Sequence, residues 1–303
     1  MFETLIKTLE EDKYLTLETT PPHEPTMNNI IEKIEEYNLD KKVDGFSTTD
    51  NPLAKLKYGA MFASVKLQQK FNKPVITTMS MRDKNKIALQ SDLIGGNDFD
   101  LRAVLALTGD PAHMSDQPHA KGVFEGNSTV LLEIINSFNN GMDYAGKPFK
   151  IAPKEIYPFS VVNSYAKNMK SLEKRMFKKV SKKTRGIITQ PVYDLENAKQ
   201  LVEYMENVQN EFQDERQKAQ LIIGVFPITR LRTAQFLSSH VPGIYVPQDW
   251  IEKLAIAAKI SPEEEYKVGM ELSSNILKSI QEIHPKIHLM TANKFDVANE
   301  LIS

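Results

Sequence analysis

Eight short apolar runs, rich in β-branched side chains, alternate along this chain with longer stretches whose apolar positions return at helical spacing. The runs cover residues 15–19, 45–49, 75–80, 103–108, 156–162, 186–189, 221–226 and 287–290, and each predicts a strand. Between the sixth and seventh, Leu195, Ala198, Leu201, Val202, Met205 and Val208 share one helical face behind Asp194. An aspartate there suits an N-cap, because its carboxylate can accept an orphan N–H of the first turn. Met169, Leu172, Met176 and Val180 form a second stripe, with lysine and arginine elsewhere. Thr26 reads as the cap of a third helix carrying Ile30, Ile31, Ile34 and Tyr37.

Strands that alternate with helices pair in parallel, and eight such units are the number that closes an α/β barrel. The expected fold is therefore α/β, a (β/α)8 TIM barrel forming a single domain over residues 1–303. An open doubly wound sheet is the competing arrangement, but it places a glycine-rich phosphate loop after its first strand. Here that turn reads Glu18-Thr19-Thr20-Pro21-Pro22, and none of the 13 glycines forms G-x-G-x-x-G or a P-loop. The segment 242–262, between the last two runs, reads as an insertion rather than a domain boundary.

Composition removes several function classes. Thirty-eight basic against 39 acidic residues leave a net charge of −1, which speaks against a nucleic-acid partner held by excess positive charge. Without cysteine there are no disulfides, thiolate metal centres or thiol catalysis. No stretch approaches the ~18 consecutive apolar residues of a membrane span. The start turns acidic at Glu10-Glu11-Asp12, unlike a signal peptide, so a cytoplasmic protein is expected. The six histidines show no H-x-x-x-H or H-x-H spacing, so no metal is expected, and no G-x-S-x-G elbow supports an activated serine. Apolar helix faces of a barrel cover the core and can also form an interface, which leaves a homo-oligomer open.

In a parallel barrel the working residues gather where strands end, and these strand ends are unusually polar. They read Glu18, Thr48-Thr49-Asp50-Asn51, Thr77-Thr78-Met79-Ser80, Thr108-Gly109-Asp110, Asn163-Ser164, Thr189-Gln190 and Thr291-Ala292-Asn293-Lys294. Such a rim suits a large polar ligand held by many hydrogen bonds, with a few carboxylates for proton transfer. Each residue also has a plainer reading. Glu18 could accept hydrogen bonds from loop amides, Asp110 before Pro111 is a natural turn residue, and Gln190 before Pro191 could be a satisfied rim amide. Between Lys167 and Arg185 stand nine basic residues and one acid, Glu173. That run is either a solvated helix face or a grip on an anion.

At these strand ends the chain resembles the methylenetetrahydrofolate reductase family of flavin-dependent barrels. The resemblance rests on Leu17-Glu18-Thr19-Thr20-Pro21-Pro22, Asp50-Asn51-Pro52-Leu53-Ala54, Leu89-Gln90-Ser91-Asp92-Leu93, Leu105-Ala106-Leu107-Thr108-Gly109-Asp110-Pro111, Ile188-Thr189-Gln190-Pro191-Val192-Tyr193-Asp194 and His288-Leu289-Met290-Thr291-Ala292-Asn293. Gly122-Val123-Phe124 and Gly141-Met142-Asp143-Tyr144-Ala145-Gly146 look closest to the branch found as reductase halves of bifunctional homocysteine methyltransferase–reductases, with no methyltransferase half expected here.

The resemblance implies reduction of 5,10-methylenetetrahydrofolate to 5-methyltetrahydrofolate with FAD as cofactor and NAD(P)H as hydride donor, feeding one-carbon and methionine metabolism. Glu18 takes the position of the general acid and Asp110 that of a carboxylate near flavin and pterin. Gln190 matches a glutamine that contacts folate and nicotinamide in turn, and Thr49 a threonine beside the nicotinamide. Thr78, Thr108, Gly109, Asn163, Arg175, Lys178 and Lys179 fall where the family binds its flavin. Thr233 and Lys294 stand where the better-known branch has a glutamine and an arginine for substrate. That branch also has histidine, arginine and tyrosine at the positions of Thr78, Thr108 and Asn163. Those differences keep open a flavin-free, NADH-dependent reductase of the same substrate, and the small barrel with the family's occasional partner subunits keeps open a folate-binding subunit active only in a larger complex.

Overall fold

The computed structural model describes residues 1–11, 13–214 and 219–303; Asp12, the last of the early acidic triplet, and residues 215–218 lie outside it. Eight strands form one closed parallel barrel in chain order: β1 (Tyr14–Thr19), β2 (Gly45–Thr48), β3 (Val75–Ser80), β4 (Ala103–Leu107), β5 (Tyr157–Val162), β6 (Gly186–Pro191), β7 (Gln220–Val225) and β8 (Lys286–Leu289). Pairing of β1 with both β2 and β8 closes the sheet. Each strand falls within a residue or two of its expected run.

Among the described residues, ten α-helices follow strands and one precedes them. The sequence pattern did not bring out α1 (Phe2–Glu11), whose Phe2, Leu5, Ile6 and Leu9 are buried. They pack against Tyr14, Ile76, Leu105, Phe159, Ile188 and Ile222, the inward side chains of the strands, so α1 plugs the end of the barrel where strands begin. The opposite end, where strands finish, is left for the loops. The remaining helices are α2 (Asn28–Glu36), α3 (Ala60–Phe71), α4 (Lys86–Asp98), α5 (Ser128–Asn139), α6 (Lys170–Val180), α7 (Leu195–Asn210), α8 (Leu231–His240), α9 (Gln248–Ala258), α10 (Pro262–Ile283) and α11 (Phe295–Leu301).

The periodic stripes do as expected. Leu172, Met176 and Val180 of α6, and Ala198, Leu201, Met205 and Val208 of α7, are buried in one cluster with the outward faces of the strands. Asp194 caps α7 by accepting the Asn197 N–H at 2.8 Å, which offsets the loss of one orphan donor to water. Thr26 does not cap α2: the N-cap is Met27, and Thr26 Oγ1 accepts the Asn28 N–H at 3.2 Å. The hydroxyl therefore braces the turn entering the helix rather than its first turn. The segment 242–262 carries α9, and Pro262 ends it because proline suits the first position of α10, where its missing N–H loses nothing. No helix among the described residues is long and apolar enough to cross a membrane.

One irregularity shapes the site. The pairing of β6 with β7 shifts between Ile188 and Pro191, since proline offers no N–H to the ladder. The Val192 N–H donates to the Gly224 carbonyl at 3.0 Å instead, and Thr189 Oγ1 accepts the Gly224 N–H at 2.9 Å. The strands approach so closely there that a Cβ on Gly224 would lie 2.2 Å from the Thr189 carbonyl oxygen, a clash only glycine avoids.

Candidate active site

Side chains alternate along a strand, so residues two apart share a face. In β1, Leu15 and Leu17 pack outward against helices, which turns Tyr14, Thr16 and Glu18 into the barrel. The same alternation brings in Thr78 and Ser80 from β3, Leu105 and Leu107 from β4, Val161 from β5, Ile188 and Gln190 from β6 and His288 from β8. At the C-terminal mouth these side chains enclose a cavity of about 430 Å³, completed by Thr49, Asp50, Thr108, Gly109, Asp110 and Met290. Its lining joins apolar side chains, Leu105, Leu107, Val161 and Ile188 among them, to three carboxyl groups, those of Glu18, Asp50 and Asp110.

Glu18 is 23 % exposed, and the His288 imidazole stands beside it, with Nε2 4.0 Å from Oε2. Burial pushes the Glu18 carboxyl up to about 7, because a charge there has lost its water. Burial acts on Asp50 in the same direction; Lys84 and the Ser80 N–H, which donates to Oδ2 at 3.0 Å, oppose it.

Asp110 Oδ2 accepts the Leu53 N–H at 2.7 Å. That bond holds a strained roof: Asn51, Leu53 and Ala54 have φ of 44°, 55° and 57°, a region in which a leucine or alanine costs about 1–3 kcal/mol. Arg82, 2 % exposed, supports the same loop from below. Its Nη2 donates to the Asn51 carbonyl at 3.0 Å while the guanidinium grips Asp83 at 2.6 and 2.7 Å. Gly109 has φ of 94°, and a Cβ on it would meet Arg82 Cβ at 2.7 Å.

Gln190 lines the cavity, and its amide end lies 3.2 Å from the Pro242 and Gly243 carbonyls, two acceptors that assign the nearer amide atom as Nε2, donating to both. The roof loop after α8 is thus tied to β6, and Val241 and Ile244 close the cavity on that side. Asn163 packs under Gly243, where any Cβ would collide with its amide, so it braces this loop instead of walling the cavity. Two cavity residues, Thr49 and Ser80, have buried hydroxyls that make no hydrogen bond of normal geometry within the protein.

The other expected residues stand further out. Arg175 and Lys178 are exposed on α6. Lys179 is half-buried, with Nζ donating to Ser128 Oγ at 2.5 Å at the start of α5, and burial with the adjacent Lys178 pulls it down to about 8. The Ser128 N–H donates to Thr108 Oγ1 at 3.1 Å, which links that helix start to the rim of the cavity. Thr233 lies in the first turn of α8 and Lys294 is exposed before α11; neither is a cavity wall.

Two of the ionisable cavity residues had no assigned role in the sequence reading: Asp50 and His288. Both lay inside quoted motifs. His288 was weighed only for metal-ligand spacing, whereas its place between outward Ile287 and Leu289 was the signal that it points inward. Among the described residues no group of three or more histidines and carboxylates is arranged to hold a metal ion.

The fold and the site together define a (β/α)8 barrel protein with a cavity at its C-terminal mouth, lined by an acid of raised pKa and two further carboxyl groups. Comparison of sequences then gives the family. The chain belongs to the methylenetetrahydrofolate reductase family, whose profile matches residues 2–303. No curated protein matches it in sequence. In structure it is similar to an uncharacterized protein from Clostridium thermocellum that binds two copies of 5-methyl-5,6,7,8-tetrahydrofolic acid, with TM-score 0.64 and 16% identity over 100% of this chain and 98% of that one. It is also similar to an F420-dependent secondary alcohol dehydrogenase in complex with an F420–acetone adduct, with TM-score 0.58 and 13% identity over 95% of this chain and 98% of that one. At these identities the two likenesses show the fold.

Proposed function

We propose that the protein reduces 5,10-methylenetetrahydrofolate to 5-methyltetrahydrofolate with NAD(P)H as hydride source and FAD as carrier. The observation that carries this reading is Glu18, a carboxyl that burial raises to about 7, so that its protonated form persists to near neutral pH, in the wall of a cavity shared with Asp110. The reaction needs such an acid. The methylene carbon accepts hydride poorly until a C–N bond of the five-membered ring breaks, and that break needs a proton on the departing nitrogen. Glu18 supplies the proton, and the Asp110 carboxylate stabilises the cation that develops on the one-carbon unit. Net, one C–N bond is replaced by a C–H and an N–H bond.

The residues present fit a flavin. The apolar wall of Leu105, Leu107, Val161 and Ile188 suits a ring system, and the orphaned hydroxyls of Thr49 and Ser80 offer it polar partners. Lys179 beside the α5 start, with Arg175 and Lys178 on the same helix, would hold an anionic tail. Bound there, the flavin would carry hydride from NAD(P)H to folate, the two taking turns in one cavity. The Clostridium thermocellum neighbour's ligand is the product of this reaction, which supports the reading.

The test separates the half-reactions. Glu18→Gln should slow folate reduction by about 10²–10⁴-fold, the usual worth of a general acid, while oxidation of NAD(P)H by an artificial acceptor keeps its rate. Equal loss in both would refute the acid role. A purified protein that turns over folate without flavin absorbance would select the flavin-free alternative.

A further inference from the structure

Beside Glu18 stands an imidazole that the proposed chemistry leaves idle. His288 is 2 % exposed inside the barrel. Thr16 Oγ1 lies 2.8 Å from its Nδ1, and Nε2 faces Ser47 Oγ at 3.4 Å and Glu18 Oε2 at 4.0 Å. Strand register explains the meeting. Thr16 is the direct neighbour of His288 on β1, Glu18 is the next residue on that face, and Ser47 is the partner of Glu18 on β2. From β7 the neighbour is Gly224, which brings no side chain. One step lower on the same faces are Tyr14, kept protonated by burial, and Lys286, whose Nζ donates to Gln220 Oε1 at 2.5 Å. Glu18 is thus the carboxyl that the ring faces.

Ionisation of Glu18 selects between the tautomers. A bare Nε2 would set its lone pair against the oxygens of an ionised Glu18, whereas Nε2–H would attract them. The Thr16 hydroxyl, 2.8 Å from Nδ1, can donate its O–H there and so leave the ring proton to Nε2. A separation of 4.0 Å is too long for a hydrogen bond at rest, but short enough to close when charge appears on the carboxylate. Burial also pulls the imidazole down to about 4, so it works as a neutral dipole rather than a cation.

We propose that His288 is a positioning residue for the acid: Thr16 fixes its proton on Nε2, and that N–H closes on Glu18 Oε2 as the carboxyl gives up its proton. The inference rests on the acid role of Glu18 proposed above. It can be tested on the protein without folate or cofactor, by ¹⁵N NMR of the histidine rings and a ¹³C titration of the Glu18 carboxyl. His288 should be the Nε2–H tautomer at neutral pH; the Nδ1–H tautomer overturns the proposal with no variant made. His288→Leu, which keeps bulk but loses the donor, should raise the Glu18 midpoint so that its acid constant falls about tenfold, and His288→Gln, which restores an N–H at the same reach, should recover most of it. A midpoint unmoved by leucine, or a glutamine variant that behaves like leucine, also overturns it. Thr16→Val should mix the two tautomers, and serves where the leucine variant does not fold; a ring left wholly Nε2–H overturns the seating by Thr16. These readouts stand apart from turnover: a protein that passes them yet never reduces folate would refute the proposed function and leave the pair intact.

Discussion

Replacing Glu18 by glutamine should make the protein more stable above neutral pH even as it removes the acid. The carboxyl titrates at about 7 in the folded protein against an ordinary 4.5, and burial is the cause. A raised carboxyl contributes fully below 4.5, where it is protonated in both states. Between 4.5 and 7 the unfolded chain gives up the proton and the folded one keeps it, so stability declines with pH and levels off above 7. The gap between the two values corresponds to about 3 kcal/mol. Glutamine, neutral at every pH, escapes that loss. His288 acts with the opposite sign: burial lowers it from 6.5 to about 4, so its contribution is whole above 6.5 and is lost as pH falls towards 4. Parent and variant both keep His288, and their difference isolates Glu18. Urea unfolding of both proteins across about pH 5 to 8, with two probes to check for a single transition, measures it. The advantage of the variant should be small at the acid end and approach about 3 kcal/mol at the alkaline end. An advantage that does not change with pH would refute the burial argument and the acid role built on it.

Two further expectations concern the rest of the chain. Asp194→Ala removes the N-cap of α7 and should cost about 1 kcal/mol, read as a lower thermal midpoint. Lys178→Ala together with Lys179→Ala should lower the flavin retained through gel filtration, and retention by the parent should weaken as pH rises through about 8, where Lys179 loses its charge. Flavin content unchanged in both experiments would return the basic run to a solvated helix face.

The eight strands, the stripes on α6 and α7 and the Asp194 cap were legible because they depend on local pattern. So was the polar rim, since strand ends can be read once strands are placed. What stayed hidden were contacts between segments far apart in sequence. Asp110 looked like a turn residue and a catalytic candidate at once; in the fold it lines the cavity and pins the Leu53 amide of another loop. Gln190 was weighed as a ligand contact and as a satisfied amide, and its bonds to the roof loop realise the second while it still faces the cavity. Asn163 turned out to brace Gly243, an interaction no spacing could announce.

By itself, then, the order of residues determined which segments become strands, which faces of helices meet them and which polar groups crowd one rim, because alternation and helical periodicity are properties of neighbours along the chain. Closure of the barrel decided the rest. It brought His288 of the last strand to within 4.0 Å of Glu18 on the first, and withdrew water from that carboxyl. Desolvation depends on everything that surrounds a group, and that surrounding is assembled only when strands hundreds of residues apart lie side by side.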